Sequence, residues 1–311
     1  MYSFVIPAFN EEKNVVLIYQ RLLDIMKKHE KGFEIIFVDD GSRDNTKETL
    51  VKLANEDKRL KVISLSRNFG HQSALTAGLK YAKGDAIISM DCDLQDPPEV
   101  IDQMIEKWKE GFDIVYARRK TRHDNFIKKH TALLYYKLLD RFSDTKIPRN
   151  VGDFRLIDKK VHKELILLNE KAIYMRGLVA WMGYKHTFVD FDRPERIHGK
   201  TGYSWEKMIR LAMDGMLNFS LMPLKFGFVI GSFSIVMGFL FLVYMFFDSI
   251  INHSIYELIK WLVVVMFIFV GFIFILLWIL GEYIGRIYNE SKGRPTYLVD
   301  EKFNFDENIN A

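Results

Sequence analysis

Cysteine is almost missing from this 311-residue chain: Cys92 stands alone, so no intrachain disulfide framework can form, which fits a reducing compartment. The eight histidines show no HExxH spacing and no cysteines are paired, which argues against zinc. No G-x-G-x-x-G or G-x-x-x-x-G-K-[ST] run follows a strand pattern, so neither a dinucleotide fold nor a P-loop is supported. The net charge of +4 lacks the clustered Lys and Arg of a dedicated nucleic-acid binder. The first seven residues have no basic leader and too short an apolar stretch for a signal peptide. Everything before residue 226 is therefore expected to stay in the cytosol.

Charge is also missing locally. Residues 226–247 and 261–281 contain no Asp, Glu, Lys or Arg, and they hold 11 of the 25 Phe. Each run matches the ~20 residues that cross ~30 Å of hydrocarbon. The 13 residues between them make the pair a helical hairpin. Lys200, Lys207, Arg210 and Lys225 precede the first run, and Arg286, Lys292 and Arg294 follow the second, whereas the connection has one lysine. The positive-inside rule then predicts a multi-pass inner-membrane protein with residues 1–200 and both termini cytoplasmic. Trp205, Met208, Ile209, Ala212, Met213, Met216 and Leu217 follow i, i+3, i+4, i+7 spacing, so 203–223 is expected to be an amphipathic juxtamembrane helix. The tail, 282–311, turns polar and acidic after Thr296 and is expected to be partly disordered.

What remains reads as α/β. Strand patterns at 3–9, 34–38, 61–66, 85–90 and 113–117 alternate with helical patterns at 11–28, 44–55, 72–82 and 98–110, with further strands at 152–157 and 184–191. The basic stretch 121–150 reads as a loop and a helix. Such alternation predicts a mostly parallel sheet with helices on both faces. Ligands bind such sheets outside the carboxyl ends of their strands. The polar clusters fall there: Asn10-Glu11-Glu12, Asp39-Asp40-Gly41-Ser42, Arg67-Asn68 and Asp91-Cys92-Asp93.

The strongest signal is Asp91-Cys92-Asp93-Leu94-Gln95, after an apolar strand. In an extended segment, residues i and i+2 point the same way, so Asp91, Asp93 and Gln95 would converge and Cys92 would face away. Close carboxylates repel unless a cation lies between them, and oxygen ligands suit Mg²⁺ or Mn²⁺. The alternative is a pair of solvated turn aspartates before Pro97-Pro98. Asp39 and Asp40 suit either recognition of a base or ribose hydroxyl, or a cap and tight turn opening the next helix.

Val5-Ile-Pro-Ala-Phe-Asn-Glu-Glu12, Val38-Asp-Asp-Gly-Ser42, Leu65-Ser-Arg-Asn-Phe-Gly70 and Met90-Asp-Cys-Asp-Leu-Gln-Asp-Pro-Pro-Glu99 together resemble family 2 glycosyltransferases. More narrowly they resemble the polyprenyl-phosphate glycosyltransferases, which include dolichol-phosphate mannose synthase and the bactoprenol glucosyltransferases. The resemblance implies a GT-A nucleotide-diphosphosugar domain. It implies Pro7, Asn10, Glu11, Asp39, Asp40 and Asp91 at the nucleotide, and Asp91, Asp93 and Gln95 at a metal. Asp153 matches an acidic residue proposed as base or acceptor-orienting group, and Arg118 an arginine after the fifth strand. Arg118, Arg119, Arg122, Arg196 and Lys200 are implied at the acceptor phosphate; the oligomeric state is left open, a homo-tetramer being the assembly that the resemblance suggests. Relatives often read Gly-x-Ser/Thr-Lys-Tyr where this chain has Gly199-Lys-Thr-Gly-Tyr203, so Lys200 is the candidate for that lysine's phosphate contact.

The expected reaction moves one sugar from a nucleotide diphosphate, UDP-glucose first, onto a polyprenyl phosphate with inversion. GDP-mannose, UDP-GlcNAc or a UDP-aminoarabinose derivative are the other donors considered. A lipid monophosphate is already anionic, so the main tasks are to bring two anions together and to stabilise the leaving diphosphate. A processive polysaccharide synthase would carry Gln-x-x-Arg-Trp, absent here, and a non-catalytic scaffold would have lost an aspartate of the Asp91/Asp93 pair.

Overall fold

The computed structural model describes residues 1–120, 148–168, 170, 174–192 and 231–305, apart from 234, 235, 242, 245, 248, 249 and 252–254. They form two compact units, one of residues 1–192 with 295–305, the other of 231–294.

The first unit is built on an eight-stranded mixed sheet. Its strands are β1 (Tyr2–Ala8), β2 (Phe33–Asp39), β3 (Leu60–Leu65), β4 (Ala86–Ser89), β5 (Ile114–Arg119), β6 (Val151–Asp158), β7 (His186–Phe191) and β8 (Val299–Phe303), in the order β7-β5-β6-β4-β1-β2-β3-β8. All seven β1 residues are buried, as expected of a central strand covered on both faces. Helices α1 (Glu12–Met26), α2 (Thr46–Glu56), α3 (His71–Tyr81) and α4 (Val100–Lys109) alternate with the first five strands. In α1, Val15, Ile18, Leu22 and Ile25 make the stripe that meets Phe4, Ile6, Ile35 and Phe37 in the core. Each such side chain contributes ~1.5–3 kcal/mol on burial. Helix α3 sits close to the sheet because Gly78 has no Cβ: one there would collide with Val5 and Val38 side chains.

The expected parallel sheet is therefore partly corrected. Four strand pairs are parallel and three antiparallel. The consequential one is β6, which inserts antiparallel between β4 and β5, pairing Ser89 with Arg155 and Ile114 with Ile157. An antiparallel strand brings its first residues to the carboxyl ends of its neighbours. This carries Asp153 to the functional edge of the sheet. Two short helices, α5 (Lys159–Leu167) and α6 (Met175–Trp181), follow β6 in a stretch for which the sequence suggested no element.

The tail is a second correction. Val299–Phe303 is not disordered: it is edge strand β8, antiparallel to β3, with Val62 opposite Phe303. Three of its five residues are charged, which disguised it, yet charge is what an edge strand tolerates and uses against further pairing. Lys47 pairs with Glu301 at 3.2 Å, and the Asn304 side-chain amide donates to the carbonyls of Ala54 (2.6 Å) and Leu60 (2.8 Å).

In the second unit, α7 (Ile255–Ser291) is a 37-residue helix whose part Ile268–Ser291 is long and apolar enough to cross a membrane. Phe272, Phe274, Leu277 and Trp278 stand exposed along it. A shorter apolar helix, Gly231–Phe241, lies within the other expected span. The expected helix 203–223, and Arg122, Arg196 and Lys200, lie outside the described residues.

If β8 belongs to the folded domain, Asn304→Ala, which strips two carbonyls of their donor, should lower unfolding stability by about 1–3 kcal/mol. Urea denaturation of the full chain in detergent measures this; an unchanged midpoint would return 299–305 to the status of a tail.

Candidate active site

The carboxyl ends of β1, β2 and β3 are stitched to one another by polar side chains. After β1, Asn10 takes a left-handed backbone (φ 56°). Its amide donates to Ser42 Oγ (3.0 Å) and its Oδ1 accepts from the Arg43 amide (2.9 Å). The Glu11 amide donates to Thr46 Oγ1 (2.9 Å). Pro7 lies buried within β1, opposite Val38. Asp39, 1% exposed, accepts from the Ser42 amide (3.2 Å) and from Ser64 Oγ (3.4 Å). Asp40 accepts from the amides of Phe69 (2.7 Å) and Gly70 (2.9 Å). Burial pushes the Asp40 pKa up, and those two N–H groups offset only part of the rise. Of the two roles open for the Asp39-Asp40 pair, the turn-forming one has these bonds behind it. Gly41 is required twice over: its φ is +65°, and a Cβ would lie 2.5 Å from the Arg67 carbonyl carbon.

The Asp91–Gln95 segment is a turn, not the extended run assumed from alternation. Leu94 adopts a left-handed backbone (φ 59°) while its side chain is buried, and Asp93 Oδ1 accepts from the Gln95 amide (3.1 Å). Burial of Leu94 offsets a strain of ~1–3 kcal/mol. Because β1 and β4 pair in parallel, the end of β1 lies beside this turn, and the pKa of the buried Cys92 thiol is raised first by burial and then by the charges of Glu11, Asp93 and Asp91.

Beyond it lies a charge cluster centred on one buried carboxylate. Asp153, 3% exposed, is paired by Arg155 Nη2 on one oxygen. On the other it accepts from Gln72 Nε2 (3.1 Å) and Arg176 Nη2 (3.2 Å). His71 Nε2 sits 3.3 Å from Asp153 and 3.4 Å from Asp91, bridging the two carboxylates. Burial works against ionised Asp153, but Arg176 first, then His71 and Arg155, outweigh it and hold the carboxyl well below the usual range. Burial likewise works against the imidazolium, yet the Asp153 bond and the two carboxylate charges push His71 up to about 9.

The sequence singled out Asp153, with pairing to Arg155 as the alternative to a role in the reaction, but not His71, Gln72 or Arg176. His71 and Gln72 directly follow the Leu65–Gly70 motif, at the start of α3, and that adjacency was the available signal. Arg176 lies on α6, where no pattern announced a helix.

Arg118 is engaged in an exposed ion pair. Its guanidinium grips Asp190 on β7 through two bonds (2.6 and 2.9 Å) and stacks 4.7 Å over the Phe188 ring. Arg119, one residue on, faces the other way and lies 3.7 Å from Asp96, beside the Asp91–Gln95 turn. Alternation along β5 decides which of the two arginines approaches the acids.

Among the described residues, no three His, Cys, Asp or Glu side chains gather as a ready-made metal cage. The donor set nevertheless fits a hard cation completed by substrate oxygens. Asp91 Oδ1 is buried with no hydrogen-bond partner, and carboxylate and amide oxygens suit Mg²⁺ or Mn²⁺.

Asp153→Ala would leave Arg155 and Arg176 without their shared anion and should cost about 3–5 kcal/mol. Arg118→Ala, breaking a pair whose side chains are 41% and 40% exposed, should cost no more than about 1 kcal/mol. Chemical denaturation of the two variants side by side checks this; equal costs would contradict the burial-based distinction.

Comparison with known proteins agrees with this edge. The Glycosyl transferase family 2 model matches residues 3–166. The chain is 44% identical over 306 residues to the glycosyltransferase YkcC of Bacillus subtilis (strain 168), covering 98% of this chain and 95% of that one. It is 40% identical over 298 residues to the prophage bactoprenol glucosyl transferase homolog of Escherichia coli (strain K12), covering 96% and 97%. It is 39% identical over 298 residues to the bactoprenol glucosyl transferase of Shigella phage SfV, again covering 96% and 97%. The mixed sheet, the polar carboxyl edge and these matches agree: the chain belongs to glycosyl transferase family 2, is a glycosyltransferase, and has the GT-A arrangement of sheet and helices.

Proposed function

We propose that this chain transfers one glucose from UDP-glucose onto undecaprenyl or another polyprenyl phosphate, with inversion, at the cytoplasmic face of the membrane. The observation that carries the reading is the buried Oδ1 of Asp91, which makes no hydrogen bond and lies 3.4 Å from the His71 imidazole, at the carboxyl edge of a family 2 domain. Near-full-length relatives named bactoprenol glucosyl transferase support the acceptor and the sugar.

In this reading the nucleotide lies along the ends of β1 and β2, against Pro7, Asn10, Glu11 and Asp39. Asp40 acts at one remove by holding the Phe69–Gly70 backbone. Asp91, Asp93 and Gln95 would hold a divalent cation. When bound, that cation neutralises charge on the departing diphosphate. The acceptor phosphate oxygen attacks the anomeric carbon opposite the leaving group. The bond from that carbon to the diphosphate oxygen breaks with its electron pair, and a glycosyl–phosphate bond forms. The acceptor arrives ionised, so no general base is needed. Asp153, ringed by donors and held anionic, is a positioning residue: it fixes His71, Gln72 and Arg176 around Asp91. Arg119 is better placed than Arg118 to meet phosphate, and Arg122, Arg196 and Lys200 remain proposed acceptor ligands.

The runs 226–247 and 261–281 are read as two membrane spans. The apolar helix Ile268–Ser291 supports one of them, and the shorter Gly231–Phe241 is consistent with the other.

The full chain in detergent, given undecaprenyl phosphate, Mg²⁺ or Mn²⁺ and a panel of nucleotide sugars, should form glycolipid from UDP-glucose. EDTA should stop the reaction, and either metal should restore it. Asp91→Ala and Asp93→Ala should each lose at least about 100-fold in turnover while melting as the parent does. Absence of lipid product with every donor would defeat the assignment, and product from GDP-mannose or UDP-GlcNAc alone would change the donor.

A further inference from the structure

Two guanidiniums contact Asp153, and they differ in one respect. Arg155 is enclosed at 2% exposure and donates from Nη1 to the Met175 carbonyl and from Nη2 to the Gly152 carbonyl, each at 3.3 Å. Arg176 is 30% exposed at its side chain. It grips Asp153 with one edge only, Nη2 at 3.2 Å and Nε at 3.5 Å, and its Nη1 has no partner among the described residues. Gln72 fastens the start of α6 by accepting from the Met175 amide at 3.1 Å and also donates to Asp153, so Arg176 emerges from a pinned helix end. Its charge also senses Asp91 across the site.

A guanidinium fixed on one edge and open on the other is pre-organised for an anion. The fork geometry matches phosphate oxygens, and little side-chain freedom remains to be lost on binding. Held by a carboxylate that stays ionised, it cannot swing away to another partner at modest cost. We propose that Arg176 binds a phosphoryl group of a substrate through its open Nη1 edge, with Asp153 as its holder. The inference deepens the glycosyl-transfer reading and rests on it, because there both donor and acceptor carry phosphates. Which of the two Arg176 meets is decided by separate measurements.

The test uses the full chain in detergent and measures the affinities of UDP and of undecaprenyl phosphate by thermophoresis, without requiring turnover. Arg176→Gln should weaken one of the two by about tenfold to a hundredfold, the scale of a lost hydrogen bond to a charged group. Arg176→Lys, which keeps the charge but not the fork, should fall between. Loss confined to undecaprenyl phosphate assigns the contact to the acceptor, and loss confined to UDP assigns it to the donor. Removing Arg176 alone exposes Asp153 to an unpaired state, so Asp153→Asn/Arg176→Gln serves as a second variant that removes the pair together. If both variants fold and keep both affinities within twofold, Arg176 serves only Asp153 and the inference is overturned. If the parent binds UDP but makes no glycolipid from any nucleotide sugar, the acceptor reading fails while the UDP comparison still decides the role of Arg176.

Discussion

A single buried anion organises the polar network at the carboxyl edge of this sheet. Taking a carboxylate out of water costs several kcal/mol even after the surroundings relax, and only close, well-directed cations recover that cost. Asp153 has Arg155 from its own strand, Gln72 and His71 from α3, and Arg176 from α6. Three separate elements are thereby tied to one pair of oxygens. His71 extends the arrangement to Asp91, so the β4 turn is joined to the same network. The cluster behaves as one unit: loss of its centre strands several charges at once, whereas loss of a rim pair such as Arg118–Asp190 leaves both partners in water.

The cluster exists at that place because of strand direction. A parallel β6 would have delivered Asp158, not Asp153, to the carboxyl edge of the sheet. The antiparallel insertion between β4 and β5 instead points residues 151–153 at the ends of their neighbours. On the other side of the edge, the ends of β1, β2 and β3 are held by bonds from side chain to backbone: Asn10 to Arg43, Asp39 to Ser42, Asp40 to Phe69 and Gly70. Acids there that look like ligands on paper have much of their hydrogen-bonding capacity committed to shaping the loops. Asp91 Oδ1 instead makes no hydrogen bond and has the His71 imidazole 3.4 Å away. A rigid floor with few uncommitted groups is what an enzyme needs to position two phosphate-bearing substrates without local collapse.

The alternation of apolar strands and amphipathic helices through residue 119 is legible because each element is long enough to show its period, and the core is made of the residues that period selects. The four motifs at strand ends were likewise visible. Three things were not. β8 is mostly charged and follows an apolar run, so its composition resembles a tail, and only the vacant edge of β3 makes it a strand. The turn at Asp91–Gln95 depends on Leu94 accepting a left-handed backbone, which no local preference for leucine suggests. Arg176 and Asp153 are 23 residues apart, and nothing in that spacing relates them.

The chain's own order of residues therefore determined the class of fold, the polar edge of the sheet, the acidic groups at that edge and the family, because these follow from periodicity and from short contiguous motifs. Tertiary structure alone decided which acids are hydrogen-bonded, which of two adjacent arginines approaches Asp96, and which distant cations pair with Asp153. Those outcomes depend on strand direction, side-chain facing and the low-dielectric accounting of buried charge, and these arise only when segments far apart along the chain are brought together.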